Sequence, residues 1–117
     1  MLSPPNRLRK AADIQEVLKR GRKVRLGMAS VSICNRPKDH TARAAIVVGK
    51  RVHKSAVVRH RVQRILRQVS RKIIKQEPYG YDMVVIANPD SLQVTSAVEL
   101  ESIVNEVTTF LKKKIRE

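Results

Sequence analysis

The stretch KSAVVRHRVQRILRQVSRK, residues 54–72, decides how this chain folds. Its Val, Ile and Leu side chains recur every three or four residues, which predicts a long amphipathic helix. Seven Lys or Arg and no Asp or Glu stand between them. At about 100° per residue, one arc of the helix is apolar and comprises Val58, Val62, Ile65, Leu66, Val69 and Ile73. The opposite arc is cationic and is centred on His60, Arg64, Arg67, Arg71 and Lys75, with Arg59 and Arg61 at its sides.

The segments before this helix predict one short helix and two or three strands. Ala11–Arg20 has an apolar face and is followed by Gly21, a residue typical of helix ends. MASVSICN, residues 28–35, alternates apolar with small or polar residues, as a half-buried strand does. RPKDHT, residues 36–41, predicts a turn. ARAAIVVGK, residues 42–50, is more continuously apolar, which favours a central position in the sheet.

The segments after the central helix predict a last strand and a last helix. EPYG, residues 77–80, breaks the chain, and YDMVVIA, residues 81–87, has the β-branched character of a strand. NPDS, residues 88–91, predicts another turn. Ala97–Ile115 predicts a helix from the spacing of Leu100, Val104, Val107, Leu111 and Ile115. The expected fold class is α+β, a two-layer α/β sandwich with helices packed on one small, mostly antiparallel sheet.

Length and charge together predict one nucleic-acid-binding domain over residues 1–117. The 25 Lys and Arg against 10 Asp and Glu give a net charge of +15, and such an excess destabilises a folded chain unless a partner neutralises it. Nucleic acid is the first candidate partner and an anionic membrane the second. The charge is concentrated, because residues 40–76 contain eleven Lys or Arg and no acid.

The cationic arc is better explained by phosphate binding than by solubility alone. A solvated helix gains stability from acids placed four residues before its bases, whereas like charges at that spacing repel each other. Arg outnumbers Lys here, and its planar guanidinium suits bidentate contact with phosphates or base edges. His60 has no His, Cys or carboxylate nearby in sequence. We therefore expect His60 to be a hydrogen-bond donor that faces RNA and not a general base.

Other partners and compartments fit the sequence less well. No second helix and tight turn precede the cationic helix, as helix-turn-helix binding to DNA requires, and no heptads support a basic zipper. A membrane surface would need more exposed aromatics than one Phe and two Tyr provide. The first ten residues lack the apolar core of a secretory signal, and the single Cys34 suits a reducing cytoplasm. Structured RNA in the cytoplasm is the expected setting.

A longer stretch, ARAAIVVGKRVHKSAVVRHRVQRILRQ at residues 42–68, resembles the signature of the bacterial ribonuclease P protein component. In that family a strand ends in paired Lys or Arg, and a helix follows with arginines at fixed spacing. NRLRKAADIQEVLKRG, residues 6–21, and YGYDMVVIANP, residues 79–89, extend the likeness. This chain departs from the family in His60, where Asn is usual, and in Gln63, where Lys is usual. The residues that the resemblance places against RNA are Lys50, Arg51, Lys54, Arg59, His60, Arg61, Arg64, Arg67 and Arg71.

The resemblance implies a fold like domain 2 of ribosomal protein S5, with a left-handed strand–helix–strand crossover. It also implies a function as an accessory subunit that binds the catalytic RNA and the 5′ leader of precursor tRNA. That RNA then hydrolyses one phosphodiester bond with Mg²⁺ held mainly by its own phosphates. The family lines its leader cleft with aromatics, and the corresponding positions here are Ile14, Leu18, Ala29 and Ser32, none of which is aromatic. The alternative for Ile14 and Leu18 is that they are core residues.

The positions of the acidic residues in the sequence indicate that the catalytic site is not in this chain. Metal-assisted hydrolysis by a protein needs clustered carboxylates, but the aspartates are isolated in sequence at Asp13, Asp39, Asp82 and Asp90. We therefore expect no catalytic or metal-binding residue in this chain. A ribosomal or RNA-chaperone protein without an enzymatic partner is the alternative that the same cationic helix allows.

Overall fold

A computed structural model describes residue 2 and residues 4–25, 29–49, 52–88 and 97–116, the last with backbone only at 97–100 and 114–116. A short 3-10 helix, Pro4–Asn6, precedes three helices and four strands. The helices are α1 (Ala11–Arg20), α2 (Ala56–Gln76) and α3 (Ala97–Arg116). The strands are β1 (Arg22–Arg25), β2 (Ala29–Asn35), β3 (Arg43–Val47) and β4 (Tyr81–Ala87). The predicted α+β class is confirmed.

The four strands form one sheet in the order β1-β2-β4-β3. β1 pairs with β2 and β2 with β4 in antiparallel fashion, whereas β3 and β4 are parallel. The sheet is therefore mostly antiparallel, as predicted, and α2 is the connection between its two parallel strands. The left-handed sense of this crossover remains a prediction from the family resemblance.

Strand alternation divides the core between the two faces of the sheet. Val31, Ile33 and Met83 belong to the larger core cluster, which also contains the buried residues of α2 and α3. Val84 and Ala45 belong to the smaller cluster on the other face, together with Val17 of α1. Helices thus cover both faces, which explains why β4 is apolar at almost every position.

β3 is an edge strand, so the predicted central position was wrong. Its continuous apolar run reflects cover on both faces, by α2 on one side and by the α1 cluster on the other. The N-terminal segment also shields part of its free edge. The Leu8 N–H donates to the Ala44 carbonyl at 3.0 Å, and the Asn6 side chain donates to the Ala42 carbonyl at 2.8 Å. β3 is also shorter than predicted, since it ends at Val47.

Most of the residues predicted to end a helix or to break the chain before a strand are found in those positions. Gly21 caps the C-terminus of α1, and its N–H donates to the Val17 carbonyl at 2.8 Å. A Cβ on Gly21 would lie 2.4 Å from that oxygen, so this close approach, not an unusual φ, requires glycine there. Gly80 has φ +93°, a left-handed value that favours glycine and fits the predicted break before β4. Of the predicted NPDS turn, only Asn88 is described.

The long helices begin and end close to their predicted limits. Ala56 opens α2, and the Ser55 side chain accepts a hydrogen bond from the Val58 N–H at its N-terminus. Beyond its C-terminus, the Tyr81 hydroxyl donates to the Glu77 carbonyl at 2.6 Å, and burial raises the pKa of this tyrosine well above its ordinary value. Val104, Val107 and Leu111 of α3 are buried as predicted, whereas the side chains of Leu100 and Ile115 lie outside the described part.

Ser70 is a polar residue on the buried face of α2 that should limit stability. Its side chain is fully buried, and its hydroxyl has no hydrogen-bond partner among the described residues. Such a group is costly to desolvate, so Ser70→Ala should raise the free energy of unfolding by about 1 kcal/mol in urea titrations. Thr108→Val is the control, because that buried hydroxyl already donates to the Val104 carbonyl and its removal should bring no gain. Equal changes in the two variants would contradict this account.

Candidate nucleic-acid interface

The outer face of α2 carries a strip of cations, as the sequence predicts. His60, Arg61, Arg64 and Arg71 are exposed, and Arg59 and Arg67 are half-buried. We call these six residues the cationic strip. The opposite arc holds the helix in place, since Val62, Leu66, Val69 and Ile73 are each at most 3% exposed. Packing of the apolar arc on the sheet therefore fixes the direction in which the strip faces.

The cationic strip concentrates five arginines and one histidine on one helix, and no acid stands among them in sequence. None of its members forms a salt bridge with a described residue. By contrast, Arg20 pairs with Glu16 on α1, and Lys72 of α2 pairs with Glu101 of α3. Cations without counter-ions on one rigid helix repel each other, and an array of phosphates would relieve that repulsion.

The loop before α2 extends the strip at its N-terminal end. Val52 is buried and anchors the loop, with its N–H donating to the Gly49 carbonyl at 3.1 Å. The His53 ring nitrogen Nδ1 accepts from the Ser55 N–H at 2.9 Å. Lys54 lies between these anchors and is exposed. Lys50 and Arg51, the other predicted RNA-binding residues here, lie outside the described residues.

A recess of about 200 Å³ lies beside the first turns of α2. It is lined by Val48, Ala56, Arg59, His60 and Gln63, and so contains both departures from the usual family pattern. The Arg59 Nε is buried and has no hydrogen-bond partner in the described part of the chain. The recess therefore offers a guanidinium, an imidazole and an amide as polar groups for a ligand outside α2.

A larger groove of about 320 Å³ connects the N-terminal segment, α1, β3 and α2. Its floor is mostly apolar, from Leu8, Ile14 and the β3 residues 44–47, and its polar lining includes Arg7, Arg9, Gln63 and Arg67. Sequence reasoning did not single out Arg7 and Arg9 as site residues. The available signal was the RLR alternation, in which Leu8 is buried and the two arginines flank it.

The structure does not bring the four predicted cleft residues together. Ile14 and Leu18 both pack against the smaller core cluster, but only Ile14 lines the groove, whereas Leu18 borders a different hollow with Gln15 and Lys19. Ser32 is buried, with 2% exposed, in β2. Ala29 packs in the larger core cluster, on the face of the sheet opposite α1, and is 1% exposed. Its assignment to a cleft with Ile14 is therefore corrected.

An ion-pair network lies on the α1 side of the sheet. Arg43 donates to both carboxylate oxygens of Asp82, from Nε at 2.8 Å and from Nη2 at 2.7 Å. Arg43 Nη1 lies 3.9 Å from Asp13 of α1, and Arg36 Nε lies 3.6 Å from Asp82. The hydrogen bond to Asp82 raises the pKa of Arg43, although burial opposes it, so the guanidinium stays charged. Two of the isolated aspartates are thus ion-paired with arginine.

The described carboxylates do not fit a resident metal ion. Asp13 and Asp82 are committed to arginines, and no group of three or more His, Cys, Asp or Glu side chains converges within the described ranges. None of the described helices is both long and apolar enough to cross a bilayer. Among the described elements, α2 carries the most cations that form no salt bridge.

A sequence model of the family described as Ribonuclease P matches residues 2–114. The chain belongs to this family. It is the protein component of ribonuclease P, a subunit of the endoribonuclease that processes tRNA, and its partner in the holoenzyme is an RNA. A ribonuclease P protein component from Thermobifida fusca (strain YX) is 36% identical over 118 residues, covering 92% of this chain and 80% of that protein. One from Mycobacterium leprae (strain Br4923) is 39% identical, covering 83% and 82%.

Solved ribonuclease P proteins share the fold. A Staphylococcus aureus RNase P protein superimposes with a TM-score of 0.71 at 28% identity, covering 93% of this chain and 94% of that one. The RNase P protein from Thermotoga maritima in complex with 1-(4-fluorophenyl)-2-thiourea gives 0.74 at 24% identity, covering 87% and 97%. Family and fold therefore support the ribonuclease P function over the ribosomal or chaperone alternative.

Proposed function

We propose that the cationic strip and Lys54 bind the catalytic RNA of ribonuclease P. The concentration on this one helix of five arginines without salt bridges to described residues supports this most strongly, because each unpaired guanidinium can bind a phosphate. Resemblance to the family adds Lys50 and Arg51 to the proposed RNA-binding residues. His60 and Gln63 replace the usual Asn and Lys, so RNA docking is retained with altered hydrogen bonding in the recess. This binding takes place in the cytoplasm.

The groove beside α2 is the proposed site of the 5′ leader of precursor tRNA. Its arginines, Arg7, Arg9 and Arg67, suit the phosphates of a single strand, and its apolar floor suits bases or riboses. Arg67 belongs both to the groove and to the cationic strip. A leader in the groove would therefore run next to the bound catalytic RNA, and the protein would hold substrate and catalyst together.

In this proposal the chemistry belongs to the RNA partner. Mg²⁺ held mainly by RNA phosphates supplies the hydrolytic chemistry. The arginines of this chain reduce the repulsion between two polyanions, which allows precursor tRNA and metal ions to bind at lower Mg²⁺. The contribution of the protein is therefore electrostatic and positional.

The test is reconstitution. The purified protein is mixed with a bacterial ribonuclease P RNA and a precursor tRNA at Mg²⁺ too low for the RNA alone. We expect cleavage at the mature 5′ end only when both protein and catalytic RNA are present. Binding and annealing of RNA without restored cleavage would instead support the chaperone alternative.

Ile14→Phe should improve leader binding. The family places aromatics in its cleft, and stacking of one base on an aromatic is worth about 1–3 kcal/mol. Ile14 lines the groove, so a phenyl ring there should tighten binding of leader-bearing precursor tRNA at least about fivefold, measured by filter binding to the holoenzyme. Leu18→Phe is the matched control on the same helix and should give no gain, because Leu18 lies outside the groove. Equal gains would contradict the placement of the leader.

A further inference from the structure

We propose that Arg43 is a positioning residue that fixes the first turn of α1 and thereby shapes the leader groove. The inference rests on the proposed function of that groove. Arg43 does not line the groove, although its neighbours Ala44 and Ala45 do. It therefore acts on the leader through α1 and makes no contact with it.

Arg43 is itself held firmly by the sheet. Both oxygens of Asp82 accept its hydrogen bonds, and the Asp82 side chain is only 10% exposed. Arg36 approaches the same carboxylate, and its Nη1 donates to the Thr41 carbonyl at 2.6 Å. A bidentate, half-buried guanidinium between two strands has little freedom to rotate. The direction of its remaining nitrogen, Nη1, is consequently fixed.

Arg43 Nη1 faces Asp13 in the first turn of α1. The Nη1 to Oδ2 distance is 3.9 Å, close enough for an ion pair that joins the helix to the sheet. The first turn has little other polar support, because Lys10 at its N-cap makes no side-chain capping hydrogen bond. The deeply buried residue of α1 is Val17, one turn further on.

Ile14 connects this contact to the groove. It follows Asp13 directly and lines the groove, and the groove also includes Arg9, just before the helix. A shift of the first turn would therefore move both an apolar wall and a cation relative to β3. The network has two arginines and two aspartates and carries no net charge, so it adds little to general attraction of RNA. Its proposed effect is on the geometry of leader binding alone.

The experiment compares two substrates of the reconstituted holoenzyme, precursor tRNA with a leader and the same tRNA without one. The Kd of the tRNA without a leader, divided by the Kd of the precursor with one, measures the contribution of the leader to binding. We expect Asp13→Asn and Arg43→Lys each to lower this ratio about three- to tenfold. The double variant should lose no more than Arg43→Lys alone, because Arg43 acts through Asp13. Affinity for the catalytic RNA by itself should stay within twofold of wild type.

Glu16→Gln is the matched control. It removes one carboxylate from the same helix, so it changes the net charge as Asp13→Asn does, but its partner Arg20 is exposed and away from the groove. Glu16→Gln should leave the ratio unchanged. Retention of the wild-type ratio in Asp13→Asn, or an equal loss in Glu16→Gln, would overturn the positioning role. A wild-type holoenzyme that binds both substrates equally well would refute the leader groove itself, and the positioning role with it.

Discussion

Replacing Arg64 and Arg71 together with alanine is expected to weaken binding to the catalytic RNA and to make it less sensitive to salt. Both side chains are exposed, and neither forms a salt bridge with a described residue. If about five to eight phosphates are neutralised, log K should fall against log[salt] with a slope of about −4 to −7. Each lost contact removes about 0.9 from that slope, so the double variant should be flatter by nearly two.

Lys112→Ala with Lys113→Ala is the control for net charge. These two lysines are exposed on α3, far along the chain from the strip, and their loss changes the total charge by the same amount. Titrations of the catalytic RNA across a range of salt concentrations should show the wild-type slope for this pair. Equal flattening by both double variants would mean that total charge, rather than the strip, governs binding.

Asp82→Ala is expected to cause the largest loss of stability among single substitutions of charged residues. The change removes the carboxylate that Arg43 and Arg36 share, and both arginine side chains are largely buried. Removing one partner of a buried pair strands the other charge, and because Arg43 is partly exposed we expect a loss of about 2–4 kcal/mol. Urea unfolding monitored by circular dichroism measures it. Asp39→Ala should change little, since Asp39 is exposed. A small effect of Asp82→Ala would show that solvent already screens the pair.

The helices were predictable because their signals are local. The segregation of α2 into an apolar and a cationic arc depends only on residues within a few turns of each other, and the structure confirms both arcs. The same holds for α3, where Val104, Val107 and Leu111 are buried as their spacing indicates. The six strip residues, once the helix is placed, follow from the sequence without tertiary information.

The arrangement of the strands was less predictable because it depends on distant partners. An apolar run such as β3 reports cover on both faces, but it does not report how many strands flank it. β1 is only four residues long and mostly charged, so it has no alternation to recognise and is defined by its pairing with β2. Ala29 was misplaced for a related reason, since its face is decided by its register opposite Ala87.

The groove was the least predictable part of the site. It forms where four separate segments meet, and Arg7 and Arg9 enter it only because Leu8 pairs with the edge of β3. The Arg43–Asp82 pair likewise joins residues 39 positions apart in sequence. Resemblance to the family indicated that a cleft exists, but side-chain packing determines which residues line it.

The most direct test of the account is to map which RNA lies next to α2. An iron chelate that generates hydroxyl radicals is attached to Gln68→Cys, beside the strip, or to Thr109→Cys on the exposed face of α3, with Cys34 replaced by Ser in both. We predict localised cleavage of the catalytic RNA from position 68 and little from position 109. Strong cleavage from position 109 with none from position 68 would contradict the claim that α2 faces the RNA.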